Sequence, residues 1–520
     1  MIPGNPLPSK PRYEILDGLR GVAAAIVLLY HHFEVNGLGL TTSPINHGYL
    51  AVDFFFILSG YVVGYAYDDR WNRMSTWTFF KRRLVRLHPM IVLSTLVGLL
   101  FFYFGTGDMF PLVGETPVGK LLVVALLGLL MIPVPVSMDV RGWAEVSPIN
   151  GSGWTLYFEY FANIIYALFI RRFPRWLLAL FVAASAFLTL NVALGWDVFG
   201  TLGERPGTAY TMVGGWALTA PELTIGFTRL LFPFFAGLLL SRLGWKIRVR
   251  GGFLWCSLLL VVLLAMPRVG GEAHGLWNGM YEAACILLFF PVVVLMGAGS
   301  VTTGRTAKAC KFLGDISYPL YITQYPIVFT LLGGWISNTP DATSAQVLFT
   351  SIMSCLFCFA AAYASLKLYD EPVRRWLTAH WLHRKPANGK GRPAMSHVRR
   401  PVFNAGGIFP RHLCGVPFVY HTKRRATAPD GENGARENEN KTTYKSMTIE
   451  KNDITMKKTL LILSALLLTA TTSLRADGGM WMLGNLTKQT YDAMRAYGFS
   501  MTPEELSNDN GTSLRNAVVL

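Results

Sequence analysis

Charged residues are scarce in this sequence. They account for 15% of its 520 residues, while 52% are hydrophobic, and an average soluble domain has roughly 25% charged residues. This composition excludes an ordinary water-soluble globular protein. The formal net charge of +16 would suit a nucleic-acid-binding protein, but such a protein needs a basic face exposed to water, and most of this chain is too apolar to supply one. We therefore predict no nucleic-acid partner.

Cysteine is also sparse, with six residues in the whole chain. Cys355 and Cys358 have the C-x-x-C spacing of metal and redox sites, but they lie in the apolar run SIMSCLFCFAA without a second pair of ligands. We predict that both are buried helix residues, and that the chain has no metal site and no disulfide framework.

Long apolar runs, by contrast, are abundant. A membrane-spanning helix needs about 20 mostly apolar residues, and eleven segments approach or reach this length. They lie near residues 17–35, 48–67, 84–104, 118–132, 154–170, 176–196, 223–241, 251–269, 280–299, 318–336 and 346–368. The sequence therefore predicts an all-α polytopic membrane protein.

The basic residues between these segments predict their orientation. The stretch 68–86 carries six Lys and Arg residues, whereas 36–47 and 105–117 carry none, and short cytoplasmic loops collect basic residues. The N-terminus is therefore expected in the cytoplasm. Because 105–117 and the Trp154 end of the next long segment both belong outside, we predict that 118–132 is a re-entrant or outer-surface helix. About ten transmembrane helices remain.

The first segment places an arginine and a histidine on one helix face. Arg20 and His31 are eleven positions apart, which returns to within about 20° of the same direction and separates them by roughly 16 Å along the axis. Ionisable residues inside spans are functional candidates, and a neutral His31 can act as a general base. Asp17 lies one turn before Arg20 and Glu34 one turn after His31, so each acidic residue can orient its neighbour. The alternative is an interfacial histidine beside His32.

Three further polar residues lie within the spans. Asp53 is near the outer end of the second segment among phenylalanines, where a carboxylate needs a partner. Ser59 follows six positions later, about 240° around the helix, so the two do not share a face. A serine in a span more often bonds to its own helix than acts as a nucleophile. Glu159 lies about a turn and a half inside its span, where we expect a pairing or catalytic role.

A basic cluster stands at the entrance of the third segment. It contains Arg82, Arg83 and Arg86. Membrane topology alone accounts for such charges. The functional interpretation is anion recognition, because guanidinium groups on neighbouring helix faces suit phosphate oxygens, and a cytosolic phosphate-rich ligand such as coenzyme A would fit.

Six motifs together give the chain a resemblance to a known family. In chain order they are LDGLRGVAAAIVLLYHH, VDFFFILSGYV, FFKRRLVRLHP, the stretch Asn150–Glu159, LGDISYPLYI and YDEPVRRWL, and they cover residues 13 to about 377. This pattern resembles the integral-membrane acyltransferase 3 family, which includes O-acetyltransferases of bacterial surface polysaccharides. The family's ten-span core agrees with the orientation argument.

The resemblance implies a membrane O-acyltransferase of the bacterial inner membrane. Its acyl group, most often acetyl, would come from cytosolic acyl-CoA, a donor substrate and not a permanently bound cofactor, and would pass to a hydroxyl of a glycan at the outer face. The family's essential arginine and histidine correspond to Arg20 and His31, which we predict as catalytic together with Glu159. His31 would deprotonate the acceptor hydroxyl or relay the acyl group, and Arg20 would help to hold the CoA phosphates. Its double-Arg-x-x-Arg element corresponds to the basic cluster, predicted to bind acyl-CoA through Arg82, Arg83 and Arg86.

Five other residues are predicted on the acceptor side or in support. They are Asp53, Ser59, Asn150, Trp154 and Gln324. Many relatives have histidine where this chain has Gln324; glutamine cannot take a proton at neutral pH, so a hydrogen-bonding role is expected there.

A transporter or flippase is the competing class, because polar residues in spans also line transport pathways. Transporters commonly contain two related halves. The first and second five spans show no convincing repeat, which favours the enzyme.

The last 135 residues differ from the rest. Residues 1–385, the predicted membrane acyltransferase domain, hold 29 basic and 20 acidic residues; the tail holds 18 and 11. Residues 386–455 predict a disordered linker or translated intergenic sequence. Residues 456–476 resemble a signal peptide or an extra membrane segment, and 477–520 resemble a truncated N-terminal fragment of a periplasmic serine dipeptidyl-peptidase, with no peptidase activity predicted. We interpret the tail as a joined second reading frame; the alternative is a genuine membrane anchor.

Overall fold

The computed structural model describes residues 10–39, 42–205, 208–268 and 275–382. Within these ranges the chain is helical, without β-strands and with two isolated β-bridges. The predicted linker, signal-peptide-like segment and peptidase-like fragment all lie outside the described residues. The α-helices are α1 Glu14–Val35, α2 Ala51–Tyr67, α3 Thr76–Phe101, α4 Val118–Leu129, α5 Trp154–Leu168, α6 Arg175–Ala193, α7 Ala220–Leu243, α8 Gly252–Ala265, α9 Leu276–Ala284, α10 Phe290–Gly299, α11 Gly304–Tyr325, α12 Gly333–Ser337, α13 Ser344–Ala364 and α14 Glu371–Leu377.

Short π-helical segments join or extend several of these helices. They are Cys285–Phe289, Pro326–Leu332, Ser365–Asp370 and Thr378–Leu382. Such segments insert extra residues into a helix and are frequent at functional sites. The segment Pro326–Leu332 lies beside α1.

Every one of the eleven predicted apolar segments falls on a helix, and the all-α polytopic fold is confirmed. Among the described residues, six helical stretches are long and apolar enough to cross a membrane: Gly48–Tyr67, Thr76–Gly105, Arg175–Ala193, Ala220–Leu243, Leu276–Gly299 and Ser344–Leu382. The other predicted spans are helices that either carry several charges, as α1 and α11 do, or are short, as α5 and α8 are. With 12 residues, α4 rises only about 18 Å, a length that suits the predicted re-entrant or surface position.

Glycines allow two helix pairs to approach closely. A Cβ atom at Gly60 of α2 would lie 1.8 Å from the Phe234 carbonyl oxygen of α7, and one at Gly21 of α1 would lie 2.4 Å from the Leu313 carbonyl oxygen of α11. Any larger residue would therefore force the helices apart. Small residues serve this purpose at helix interfaces in membranes. The contact between α1 and α11 places the helix that bears Arg20 and His31 beside the helix that carries Gln324.

Asn150 stabilises the break at the end of α11. Pro326 has no backbone N–H, so the carbonyl of Ile322, one turn earlier, has no helical donor. The Asn150 side-chain amide donates to that carbonyl at 2.9 Å. This hydrogen bond joins the loop before α5 to α11, and it assigns the predicted supporting residue Asn150 a structural contact.

Candidate active site

The two adjacent histidines of α1 have different environments. The Nδ1 atom of His31 is buried and has no hydrogen-bond partner among the described residues. Its ring lies edge-on to Phe329, with 5.1 Å between centroids. In His32, Nδ1 bonds to the Leu28 carbonyl at 2.8 Å and Nε2 lies 3.2 Å from Ser354 Oγ. His32 is thus held in the helix packing, while His31 keeps a nitrogen available for chemistry.

Arg20 belongs to the opposite end of α1. Its Nη1 atom lies 3.2 Å from Asp17 Oδ1, and both side chains are partly buried, so the predicted orienting contact by Asp17 is present. Arg20 also lies within electrostatic range of the basic cluster, because its charge, with those of Arg83 and Arg374, acts on Arg86.

The basic cluster opens onto a cavity of about 610 Å³. Arg82 and Arg86 line it because they are four positions apart on one face of α3. The opposite wall comes from α14, with Arg374 and Arg375 beside Glu371. Arg374 pairs with Asp370 at 2.8 Å and Arg375 with Glu371 at 2.9 Å, but the Nε atom of Arg82 is buried without a partner in the described ranges. The cavity therefore retains excess positive charge.

Arg83 does not line this cavity. It points into the bundle, where its Nη2 atom forms an ion pair with Oε1 of Glu159 on α5. Ser59 of α2 donates to the same carboxylate oxygen at 2.9 Å, instead of to its own helix as serines in spans commonly do. The structure thus brings together three residues that the sequence placed on three separate helices.

Asp53 has the partner that its position required. Its carboxylate pairs with Arg229 of α7, with Nη2 to Oδ2 at 2.8 Å, and both side chains are almost fully buried. Arg229 also donates to the carbonyl oxygens of Gly214 and Tyr49 and lies over the ring of Trp154, 5.3 Å from its centroid. Asp53 and Trp154 therefore support one buried arginine. Arg229 was not predicted from the sequence, although a lone charged residue in an apolar helix is the same signal that singled out Asp53.

Gln324 is fully buried on α11. Its amide nitrogen makes a long hydrogen bond of 3.4 Å to the Tyr321 carbonyl, and its oxygen has no partner in the part of the chain that the structure describes. The hydrogen-bonding role expected for Gln324 is thus only partly met within the fold.

A further polar cluster, which reasoning from the sequence missed, lies where the loop between α4 and α5 meets Pro326–Leu332. We call Arg141, Glu145, Tyr325 and Thr330 the Arg141 cluster. Arg141 donates to Thr330 Oγ1 at 3.2 Å, and the Tyr325 hydroxyl donates to Glu145 Oε1 at 2.7 Å. Burial raises the pKa of Glu145 to about 7, against the opposing effects of Arg141 and the Tyr325 hydrogen bond. The signal for this cluster in the sequence was the pair of charged residues Arg141 and Glu145 between two apolar segments.

Comparison with known families decides the class of this bundle. The family model Acyl_transf_3, described as an acyltransferase domain, matches residues 13–363. The chain belongs to this acyltransferase family. The resemblance drawn from the six motifs is confirmed.

Curated relatives of this acyltransferase fall into two groups. "Protein 2 in picA locus" of Rhizobium radiobacter is 32% identical over 194 residues, which is 35% of this chain and 95% of that protein. "O-acetyltransferase OatA" of Staphylococcus aureus is 22% identical over 377 residues, 70% of this chain and 58% of that protein. "Peptidoglycan O-acetyltransferase OatA" of Listeria monocytogenes is 21% identical over 376 residues, which is 69% of this chain and 55% of that protein. The chain thus spans just over half the length of the OatA proteins.

No solved structure matches the acyltransferase. A second family model, peptidase S46, matches residues 476–520, in agreement with the predicted similarity of the tail to a peptidase N-terminus.

Within the acyltransferase domain, the predicted site residues separate into distinct groups. Arg82 and Arg86 line the basic cavity with Arg20 in electrostatic range, and Ser59, Arg83 and Glu159 form one partly buried polar contact. His31 lies among aromatic rings toward the other end of α1. The groups lie at different levels of one bundle. A cavity suited to anions lies at one end, and the His31 imidazole, with one nitrogen that has no partner among the described residues, lies toward the other.

Proposed function

We propose that this chain transfers an acyl group, most often acetyl, from cytosolic acyl-CoA to a hydroxyl of a glycan on the outer side of the bacterial inner membrane. The cavity formed by α3 and α14 carries this proposal. It combines several guanidinium groups with a volume of about 610 Å³, within the range of roughly 300–1,000 Å³ typical of small-molecule sites.

The cavity suits the phosphate groups of acyl-CoA. Arg82 and Arg86 present guanidinium groups that bind phosphate oxygens through charge-assisted hydrogen bonds. The basic loops are expected in the cytoplasm, the compartment from which acyl-CoA would be supplied. Arg20 adds a third positive charge nearby.

His31 would act on the acceptor. Its free nitrogen takes the proton of the glycan hydroxyl, the hydroxyl oxygen attacks the thioester carbonyl, and the carbon–sulfur bond breaks. The departing thiolate of CoA then receives the proton. The products are the glycan ester and free CoA. General-base catalysis of this kind contributes roughly 10²–10⁴-fold to a rate.

The contact among Ser59, Arg83 and Glu159 would connect the donor cavity with the bundle interior. On α3, Arg83 follows the cavity-lining Arg82 but points into the bundle. Its ion pair with Glu159 holds the side chain in that orientation. We assign Glu159 the function of a positioning residue that holds Arg83 and Ser59. The thioester end of acyl-CoA, whose phosphates lie in the cavity, must reach across the roughly 16 Å that separate the levels of Arg20 and His31.

The experiment uses membrane vesicles of both orientations with acetyl-CoA labelled in the acetyl group. Label in the glycan is expected only when acetyl-CoA is supplied on the side of the N-terminus. A chain that moves glycan across the membrane without consuming acetyl-CoA would instead be a flippase, which would overturn the proposal.

A further inference from the structure

The Arg141 cluster contains polar atoms that the fold leaves unused. Arg141 is fully buried, yet its Nε and Nη1 atoms have no hydrogen-bond partner within the described ranges, and neither does Oε2 of Glu145. Buried polar groups in native proteins are nearly always paired, and the exceptions need an explanation. Two donors and one acceptor without partners in a single buried cluster are suited to bind a polar ligand.

A loose loop does not explain these atoms, because the loop is firmly organised. The Asp139 carboxylate accepts hydrogen bonds from the backbone N–H groups of Arg141, Gly142 and Ala144 at 2.9–3.0 Å. Ala144, directly before Glu145, has a φ of +53°, a left-handed conformation that is unfavourable for alanine. The loop therefore keeps a strained backbone that directs Arg141 and Glu145 to the same place.

Mutual pairing does not explain them either. Among the described residues, no hydrogen bond joins Arg141 to Glu145, although the Arg141 charge lowers the pKa of that carboxyl. Glu145 is held by the Tyr325 hydroxyl, and Arg141 by the Thr330 hydroxyl and by the rings of Phe102, Phe110 and Tyr325, whose centroids lie 4.4–5.6 Å from its guanidinium carbon. The rings contact the guanidinium without accepting its remaining N–H groups, so each residue keeps hydrogen-bonding atoms without a partner in the described ranges. In a structural ion pair, the unpaired atoms of Arg141 and Glu145 would bond to each other.

Aromatic rings extend from the cluster to His31. Tyr325 stacks on Phe329 with 4.6 Å between centroids, and Phe329 lies 5.1 Å from the ring of His31. Trp143, which is 36% exposed, lies 6.2 Å from Phe329. A partly exposed tryptophan thus stands beside the ring that contacts the proposed general base.

We propose that Arg141 and Glu145 form the subsite that holds the sugar ring of the acceptor, with Trp143 as its aromatic wall. A sugar hydroxyl is both donor and acceptor, so neighbouring hydroxyls can accept from Arg141 and donate to Glu145. Ligand sites commonly combine aromatic walls with a few such convergent polar groups. This subsite rests on the proposed function, because it supplies the hydroxyl on which His31 acts.

The test is calorimetric binding of two probes to the purified full chain in detergent, without acyl-CoA. The probes are the β-1,4-linked tetramers of glucose and of N-acetylglucosamine. We expect the wild type to bind at least one probe, and Arg141→Gln and Glu145→Gln each to weaken that binding at least tenfold. Glu145→Gln conserves side-chain shape and serves if Arg141→Gln does not fold. The control is Arg205→Gln, an arginine that bonds its own loop at Thr211 and Val213, which is expected to bind as the wild type does.

The outcomes separate this subsite from the proposed function. Unchanged binding in both variants, or no binding of either tetramer by the wild type, overturns the subsite. Loss of binding in both variants, with binding kept in the control, supports it. If these results accompany a wild type that transfers no acyl group, the sugar subsite stands and the proposed function fails.

Discussion

Arg83 of α3 and Glu159 of α5 form an ion pair inside the bundle, and Ser59 of α2 completes it. Neighbouring Arg82 and Arg86 instead line the basic cavity. One arginine cluster therefore performs two tasks. Its outer members face the cavity, and its middle member connects that region of α3 to a carboxylate on another helix.

Breaking the Arg83–Glu159 pair should destabilise the fold. Arg83→Met leaves the partly buried Glu159 carboxylate without its partner, and Glu159→Gln does the same to the buried Arg83 guanidinium. Each loss should cost about 1–3 kcal/mol of unfolding free energy. The double variant removes both charges and should recover much of that loss. Thermal unfolding of the three variants measures the coupling; costs that simply add in the double variant would argue against the pair.

Removing Arg82 or Arg86 should weaken the binding of acyl-CoA specifically. Each charge-assisted hydrogen bond is worth about 1.5–3 kcal/mol, so Arg82→Ala and Arg86→Ala should raise KM for acetyl-CoA roughly tenfold or more. KM for a small acetyl thioester without phosphates should change little, because it makes no such bonds. Arg12→Ala, at an exposed arginine beside Asp315, is the matched control. Equal effects on both donors would count against phosphate recognition.

Asp53 and Arg229 should behave as a stability pair. Both side chains are almost fully buried, so Asp53→Asn or Arg229→Gln alone should lower the yield of folded protein and cost about 3–5 kcal/mol. We expect folded Asp53→Asn protein to keep the wild-type KM for acetyl-CoA, because the pair does not line the cavity. A raised KM with normal stability would instead place Asp53 at the donor site.

The Glu145 carboxyl should make stability depend on pH. Its pKa in the folded protein is about 7, above the ordinary value of about 4.3. Between these values the folded state binds more protons than the unfolded state, so stability should fall as pH rises from about 4.5 to 7 and then level off. Glu145→Gln should flatten this dependence and raise the melting temperature at neutral pH. Unfolding curves between pH 5 and 8 measure it, and parallel curves for both proteins would refute the assignment.

The sequence predicted the helices well because long apolar runs report directly on membrane burial. All eleven segments became helices, and helical spacing alone placed Arg82 and Arg86 on one face. It also predicted correctly that Asp53 needed a partner. The identity of that partner, 176 positions away in sequence, depends on how α2 packs against α7, and no spacing within one helix reveals it.

The Arg141 cluster could not be predicted for a similar reason. Its loop has no periodic pattern, and its geometry comes from hydrogen bonds of Asp139 and from contacts with α11. Arg83 illustrates the same limit within a helix. Its charge was evident from the sequence, but its direction toward Glu159 follows from the position of α5.

The central claim is that His31, and not His32, acts on the acceptor hydroxyl. The most direct measurement compares acetyl transfer from labelled acetyl-CoA to glycan by His31→Gln and His32→Gln in vesicles with matched amounts of protein. We predict that His31→Gln loses about 10²–10⁴-fold in rate. His32→Gln loses the hydrogen bonds of His32 to the Leu28 carbonyl and to Ser354, and its rate should stay within about tenfold of the wild type. Transfer at the wild-type rate by His31→Gln would contradict the account.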